Sequence, residues 1–397
     1  MAVVPTPVTG VVLRLCAATF VAYCSYSICR APLLPLFARE LGATPPLIGF
    51  VMGASTLTGI FVKLPAGALS DVLGRRPVLL AGALVFAILP FAYLAVSALA
   101  GLVLLRFMHG GATAIFGPVA AASLSDVAPP TRRGAWLSAY STAQGAGQAL
   151  GPVLAGYLIG AGRFDLAFVA AGAVGVAVPI IVTGVRTAPR TLPQDARWQH
   201  FLQGVLEVGR DRLVLVASGA QAAQFILNGM MNAFLPLYAR DALALSLPQL
   251  GWLFGLQTLT TLAVRPVIGF VSDRAGRRWI IACGLVVSAI AVLMVSAASS
   301  LPELVAVIIA YAAGVAITTA ATSAFITDVT RSTRYGAAHG VFGTIYDVGD
   351  AFGPIAAGVL VAAVGYVRMF QIMSILVLSM AVAFIVASRG VQIRESS

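Results

Sequence analysis

The stretch "GALSDVLGRRP" at residues 67–77 is written again as "GFVSDRAGRRW" at residues 269–279, a spacing of 202. Both copies carry Gly-x-x-Ser-Asp-x-x-Gly-Arg-Arg, in a chain where Asp, Glu, Lys and Arg make up only 10% of residues. The repeat extends outward. "SDVAPPTRRG" (125–134) aligns with "TDVTRSTRYG" (327–336), setting Asp126 opposite Asp328 and Arg132 opposite Arg334. "GQALGPVLAG" (147–156) aligns with "GDAFGPIAAG" (349–358), and Lys63 with Arg265. "LPLFARE" (34–40) returns as "LPLYARD" (235–241) at a spacing of 201, so one residue differs in the loop that follows. The chain reads as two similar halves, 1–186 and 211–397. An Arg-rich connection over 187–210 joins them and carries an amphipathic Trp198, Phe201, Leu202, Val205 pattern.

Composition says what the halves are made of. Hydrophobic residues form 59% of 397, and mean hydropathy is +0.96, far above a water-soluble domain. The apolar residues fall in runs long enough to cross a bilayer, where about 20 helical residues span roughly 30 Å. Twelve such runs are expected: 10–38, 46–70, 77–97, 100–124, 136–161, 165–186, 211–239, 247–272, 279–299, 302–326, 338–363 and 367–388. Without water to satisfy backbone groups, each must be a helix. The expected fold class is an all-α membrane protein of twelve transmembrane helices, arranged as two pseudo-symmetric six-helix bundles. The first run is a full span and is expected to stay as one rather than be cleaved as a leader.

Charge orients the spans. Sixteen Arg lie between spans two and three, four and five, six and seven, eight and nine, ten and eleven, and at the C-terminus, counting Arg186 and Arg212 at the ends of their spans. The opposite loops hold four: Arg39, Arg163, Arg240 and Arg368. The positive-inside rule places both termini and the 187–210 connection in the cytoplasm, in an inner (plasma) membrane. That bias accounts for much of the net charge of +11, and no basic face for nucleic acid exists outside these short loops. The four cysteines, Cys16, Cys24, Cys29 and Cys283, all lie in spans and read as small core residues.

The opening motif resembles that of the major facilitator superfamily, Gly-x-Leu-x-Asp-Arg-x-Gly-Arg-Lys/Arg in the loop between helices two and three. It is matched by Gly67, Leu69, Asp71, Gly74, Arg75 and Arg76. Val72 stands where the family has Arg, and the second copy, with Gly269, Asp273, Gly276, Arg277 and Arg278, restores it as Arg274. Physically, Gly67 lets span two approach a neighbour, and Asp71 suits a helix N-terminus, where negative charge is favoured. Arg75 and Arg76 can pair with Asp126, as their counterparts can with Asp328, or with lipid head-groups. The resemblance implies that these residues form a cytoplasmic gate. "GQALGPVLAG" resembles the family's antiporter signature, Gly-x-x-x-Gly-Pro-x-x-Gly-Gly, with Ala155 replacing one glycine. There Gly147, Gly151 and Gly156, echoed by Gly353, offer smooth packing surfaces, and Pro152 and Pro354 bend their helices.

The repeat fails at charges inside the bilayer, which are costly and functional by default. Arg106, in "RFMHGGATA", faces Ile308 in the other half and resembles the family's Arg-x-x-Gln-Gly proton-coupling motif, with His109 replacing Gln. Asp347 and Asp350 in span eleven face Gly145 and Gln148. Three residues apart, they share a helix face, and two close carboxylates in low dielectric resist joint ionisation. Asp347, Asp350 and Arg106 are therefore the expected proton-coupling residues, with a structural pairing of the acids to Arg30 or Arg106 as the other reading. Tyr23, Tyr26 and Arg30 share a face of span one, and Gln221, Gln224 and Asn228 share one of span seven. Family architecture turns both toward a substrate cavity.

No nucleotide-binding phosphate loop and no metal-ligand spacing among His109, His200 and His339 is found, and no nucleophile–base constellation of an enzyme. No cofactor is expected. The sequence reads as a monomeric secondary active transporter, with protons, membrane lipids and a small-molecule substrate as partners. The leading reading is efflux of an amphipathic organic compound by proton antiport. Proton-coupled uptake or uniport of an organic anion or metabolite is the alternative, and a non-transporting sensor or lipid-handling scaffold the alternative of another class.

Overall fold

A computed structural model describes residues 6–160, 163–185, 207, 209–330 and 335–388. Among them every regular element is helical. The connection expected over 187–210 lies almost wholly outside the described residues, as do Arg334 and the side chain of Asp273.

In the first half the helices are α1 (Thr6–Ile28), α2 (Leu33–Glu40), α3 (Pro45–Val72), α4 (Arg75–Ala92), α5 (Leu99–Val127), α6 (Arg133–Gly160) and α7 (Phe164–Thr183). The second half has α8 (Arg212–Leu243), α9 (Leu247–Ala275), α10 (Arg277–Val295), α11 (Leu301–Val329) and α12 (Tyr335–Ala387). The last is 53 residues long and breaks at Gly365, whose φ of 79° no ordinary helical residue adopts, so it supplies spans eleven and twelve. The expected first span is also interrupted, between Ile28 and Leu33. Pro32 has no N–H to continue the ladder and disfavours helix at Ala31 before it. Counting α1 with α2 as one crossing and α12 as two gives twelve helical segments at the expected places.

These helices present large apolar side chains outward: Phe61 is 75% exposed and Ile180 65%. In water that surface would be a liability; against hydrocarbon it is the required one. The fold is that of a multi-pass membrane protein.

By internal contacts, the chain divides into two compact units whose edges differ from the sequence halves. Unit one holds Met1–Thr44, Phe50–Leu192 and Ala239–Leu259; unit two holds Pro45–Gly49, Pro193–Tyr238 and Thr260–Ser397. Within unit one, α6 lies on α1: a Cβ on Gly147 would collide with the Phe20 carbonyl, and one on Gly151 would stand 2.5 Å from Ser27 Cβ. Farther along α6, Gly156 meets the start of α9, 2.6 Å from the Leu247 carbonyl oxygen by the same measure. Unit two repeats this arrangement 202 residues on. Gly349 and Gly353 press on the Ala222 and Ile226 carbonyls of α8, and Gly358 presses on the Pro45 carbonyl at the start of α3. The glycines of the two "GQALGPVLAG"-type stretches are thus points of close helix approach, as small residues permit in membranes.

Candidate functional site

Three groups of polar residues stand out; the first occurs once in each unit, and the other two lie inside one unit each. The first lies at the motif that opens the sequence. Arg75 donates from Nε to Asp126 at 3.0 Å and from Nη1 to Ser70 Oγ at 2.6 Å, and pairs with Asp71 at 2.8 Å. Arg76 donates to the Thr183 carbonyl at 2.8 Å, satisfying an orphan acceptor at the end of α7. In unit two, Arg277 meets Asp328 at 2.5 Å and Ser272 Oγ at 2.8 Å, and Arg278 donates to the Ile385 carbonyl. Every partner is the counterpart 202 residues away. Gly74 and Gly276 have φ of 90° and 85°, so the turn into α4 and α10 requires glycine.

A Cβ at Gly67 or Gly269 would meet nothing within 4 Å among the described residues. Asp71 pairs with Arg75, its neighbour one turn on, at 2.8 Å. The two serines belong to the repeated motif and were legible in it, but their role in seating the Arg was not foreseen.

The second group lies in unit one around Arg106, the largest fully buried side chain among the described residues, with 0% exposure. Its Nη2 donates to Ser55 Oγ at 2.5 Å. Gly110, one turn along α5, abuts the Ser55 carbonyl, so the glycine after His109 brings α5 close enough to α3 for that bond. The guanidinium lies 5.9 Å from the centroid of the Tyr26 ring, and Tyr26 Oη donates to Ser55 Oγ at 3.3 Å. His109 packs edge-on to Tyr26 at 5.0 Å, with Nδ1 3.3 Å from Tyr93 Oη. Tyr93 in turn stacks on Phe168 at 4.9 Å. Tyr23, on the same face of α1, is buried with its hydroxyl against Gly117. Within this unit Arg106 bonds Ser55. Ser55 and Tyr93 had no signal in the sequence, and His109 had one only as a departure from a motif.

The third group lies in unit two. Asp347 and Asp350 are 5% and 8% exposed, and Asn228 Nδ2 donates to Asp350 Oδ1 at 3.0 Å. Gly229 lets α8 lie on the α12 backbone at that point, 2.5 Å from the Asp350 carbonyl for a hypothetical Cβ. Tyr311 lies beside Asp350. Gln221 and Gln224 accept from Thr322 at 2.5 Å and Thr318 at 3.2 Å on α11, which braces α8 against that helix within the unit. Their spacing fixed a shared face of α8 but not which neighbour covers it. Among the described residues no cluster of three or more His, Cys, Asp or Glu gathers that would hold a metal ion.

Comparison with known proteins settles the family. The sequence profile described as Major Facilitator Superfamily matches residues 15–241 and again 217–396. An uncharacterised MFS-type transporter of Methanocaldococcus jannaschii is 24% identical over 349 residues, covering 87% of this chain and 90% of its own. A multidrug resistance protein, MdtH of Aeromonas hydrophila, is 26% identical over 242 residues, 59% of this chain and 58% of that one. Among solved structures, a bacterial homologue of the human lysosomal transporter Spinster superposes with a TM-score of 0.84 at 17% identity, covering 98% of each chain. The protein is a transporter of small molecules rather than an enzyme, and the chain belongs to the major facilitator superfamily.

Proposed function

We propose that the protein exports a small amphipathic organic compound in exchange for protons, by alternating access, with Asp350 as the principal proton carrier. The observation that carries this reading is the burial of two carboxyls one turn apart on α12, Asp347 and Asp350, at 5% and 8% exposure. Asn228 donates to Asp350 Oδ1 at 3.0 Å and orients that carboxyl. Asp347, buried one turn away on α12, disfavours a second negative charge beside the first. Arg106 supplies the buried positive charge of unit one that the coupling motif implies.

The repeated Arg75 and Arg277 clusters support a role as cytoplasmic braces, each tying the start of one helix to the ends of two others. In this reading the two six-helix halves, 1–186 and 211–397, are the moving bodies, the chain acts as a monomer in the inner membrane, and both termini are cytoplasmic. The multidrug resistance name of the Aeromonas relative favours export over uptake. The test is proton movement. A compound that raises the melting temperature of the purified protein is added to proteoliposomes loaded with a pH-sensitive dye. The expected result is a substrate-dependent change in internal pH. Flux of the compound without proton movement contradicts the proposal.

A further inference from the structure

Arg106 presents an imbalance that proton coupling does not resolve. It is fully buried, its bonded partner is the neutral Ser55, and both Nε and Nη1 have no hydrogen-bond partner. His109 Nε2, on a ring packed edge-on to Tyr26, has none either. A buried guanidinium without its complement of bonds carries a large desolvation penalty, and each unmet charged donor adds to it. Three buried nitrogens around one phenol ring are thus left with bonding capacity that their own bundle does not use.

The surroundings describe what would use it. The phenols of Tyr26 and Tyr93 flank the guanidinium. Phe86 sits 6.5 Å from both Tyr26 and His109, so the wall around the nitrogens is aromatic and apolar. If Tyr93 donates to His109 Nδ1, the histidine carries its proton on Nε2 and becomes a further donor. Arg30, partly exposed, acts on the same Tyr26 phenol and adds positive potential. A site with guanidinium donors, a neutral imidazole donor and aromatic walls suits a compact oxyanion attached to an apolar body.

We infer that Arg106, with His109 and Tyr26, is the seat of the substrate's anionic group, and that the transported compounds are lipophilic organic acids bearing a carboxylate. The inference rests on the transporter reading above and narrows its substrate class. It gives the buried cation a counter-charge that arrives with the substrate, so a site poor in bonds when empty becomes complete when loaded. It also gives His109 a reason to stand where the motif has Gln.

The experiment compares charge at constant shape. Purified protein in phosphatidylcholine nanodiscs, free of anionic lipid, is titrated calorimetrically with aryl and alkyl carboxylates, each matched with its amide and its amine. The expected result is that carboxylates bind at least tenfold more tightly than their amides, with the amines weakest. Arg106→Gln is expected to abolish the discrimination and Arg106→Lys to retain part of it. His109→Gln should weaken carboxylates several-fold while leaving amides unchanged. Equal binding of carboxylates and amides by the wild-type protein, or discrimination that survives Arg106→Gln, overturns the inference, and the wild-type comparison stands even if a variant fails to fold. Repeating the titration with phosphatidylglycerol in the nanodisc separates the sources of the anion: strong competition there would assign the site to a lipid head-group and overturn the substrate reading. Carboxylate binding without any flux would retire the transporter reading and leave the site standing. Flux of an amine or neutral compound without carboxylate preference would do the reverse.

Discussion

Asn228 and Asp350 join α8 to α12 by a 3.0 Å hydrogen bond between a neutral amide and a buried carboxyl. The bond ties the first helix of the second half to the one that carries both intramembrane acids. Removing the amide leaves the carboxyl short of one buried partner, a loss of about 1.5–3 kcal/mol when the acceptor is charged. Asn228→Ala should therefore reduce proton-driven transport by roughly ten- to a hundredfold, by the usual conversion of that energy, while α-helix content is unchanged. Initial rates in proteoliposomes, with circular dichroism as the control, check this.

The Arg75 and Arg277 clusters share two contacts, each Arg reaching a carboxylate, Asp126 or Asp328, and a serine, Ser70 or Ser272. Each Arg bonds a carboxylate and a serine hydroxyl at once, a fork geometry that Lys cannot reproduce. Arg75→Lys and Arg277→Lys should each lower the melting temperature by a few degrees, corresponding to about 1 kcal/mol for a half-buried pair. Serine removal, as Ser70→Ala or Ser272→Ala, should have a smaller effect in the same direction. Thermal unfolding in detergent followed by intrinsic fluorescence gives the answer, and a Lys variant as stable as wild type would show the fork to be dispensable.

The glycine contacts yield a prediction with an internal control. A side chain at Gly358 must displace the Pro45 carbonyl, and one at Gly156 the Leu247 carbonyl, neither of which is a flexible group. Gly358→Val and Gly156→Val should each destabilise by about 1–3 kcal/mol or more, the range for overpacking. Gly111→Ala, on α5 with nothing within 4 Å, should be neutral in the same assay. If all three behave alike, the close approaches are not set by these glycines.

The fold was legible because the bilayer imposes a length on every crossing. Twelve apolar runs and a repeat of fixed spacing left little freedom in helix number or order. The break between Ile28 and Leu33 was not read, although Pro32 advertised it, because a continuous apolar run hides a local loss of one N–H. Sites were harder. Asp347, Asp350 and Arg106 were recognisable as charges where charge is expensive. Their partners, Asn228 and Ser55, were not assignable, since periodicity names a helix face but not the helix that covers it. Gln221 and Gln224 show the same limit: their face was right, but it turns to Thr322 and Thr318.

That brace can be tested too. Thr318→Val keeps the shape and deletes the hydroxyl that meets Gln224, leaving a buried amide oxygen without that donor. The expected loss is about 1–3 kcal/mol of stability with substrate affinity unchanged, because the residue is interior to unit two. Titration calorimetry beside a melting curve distinguishes this from a lining role, in which affinity would fall and stability would not.

The central claim is that Asp350 carries the proton. Its most direct measurement is accumulation of a bound compound in proteoliposomes, with and without an imposed proton gradient, for wild type and Asp350→Asn. The account predicts that the gradient drives wild-type accumulation above equilibrium, that Asp350→Asn loses all gradient-driven accumulation yet keeps downhill exchange, and that Asp347→Asn is affected less. Wild-type transport indifferent to the gradient, or an Asp350→Asn variant that still accumulates against it, would contradict the account.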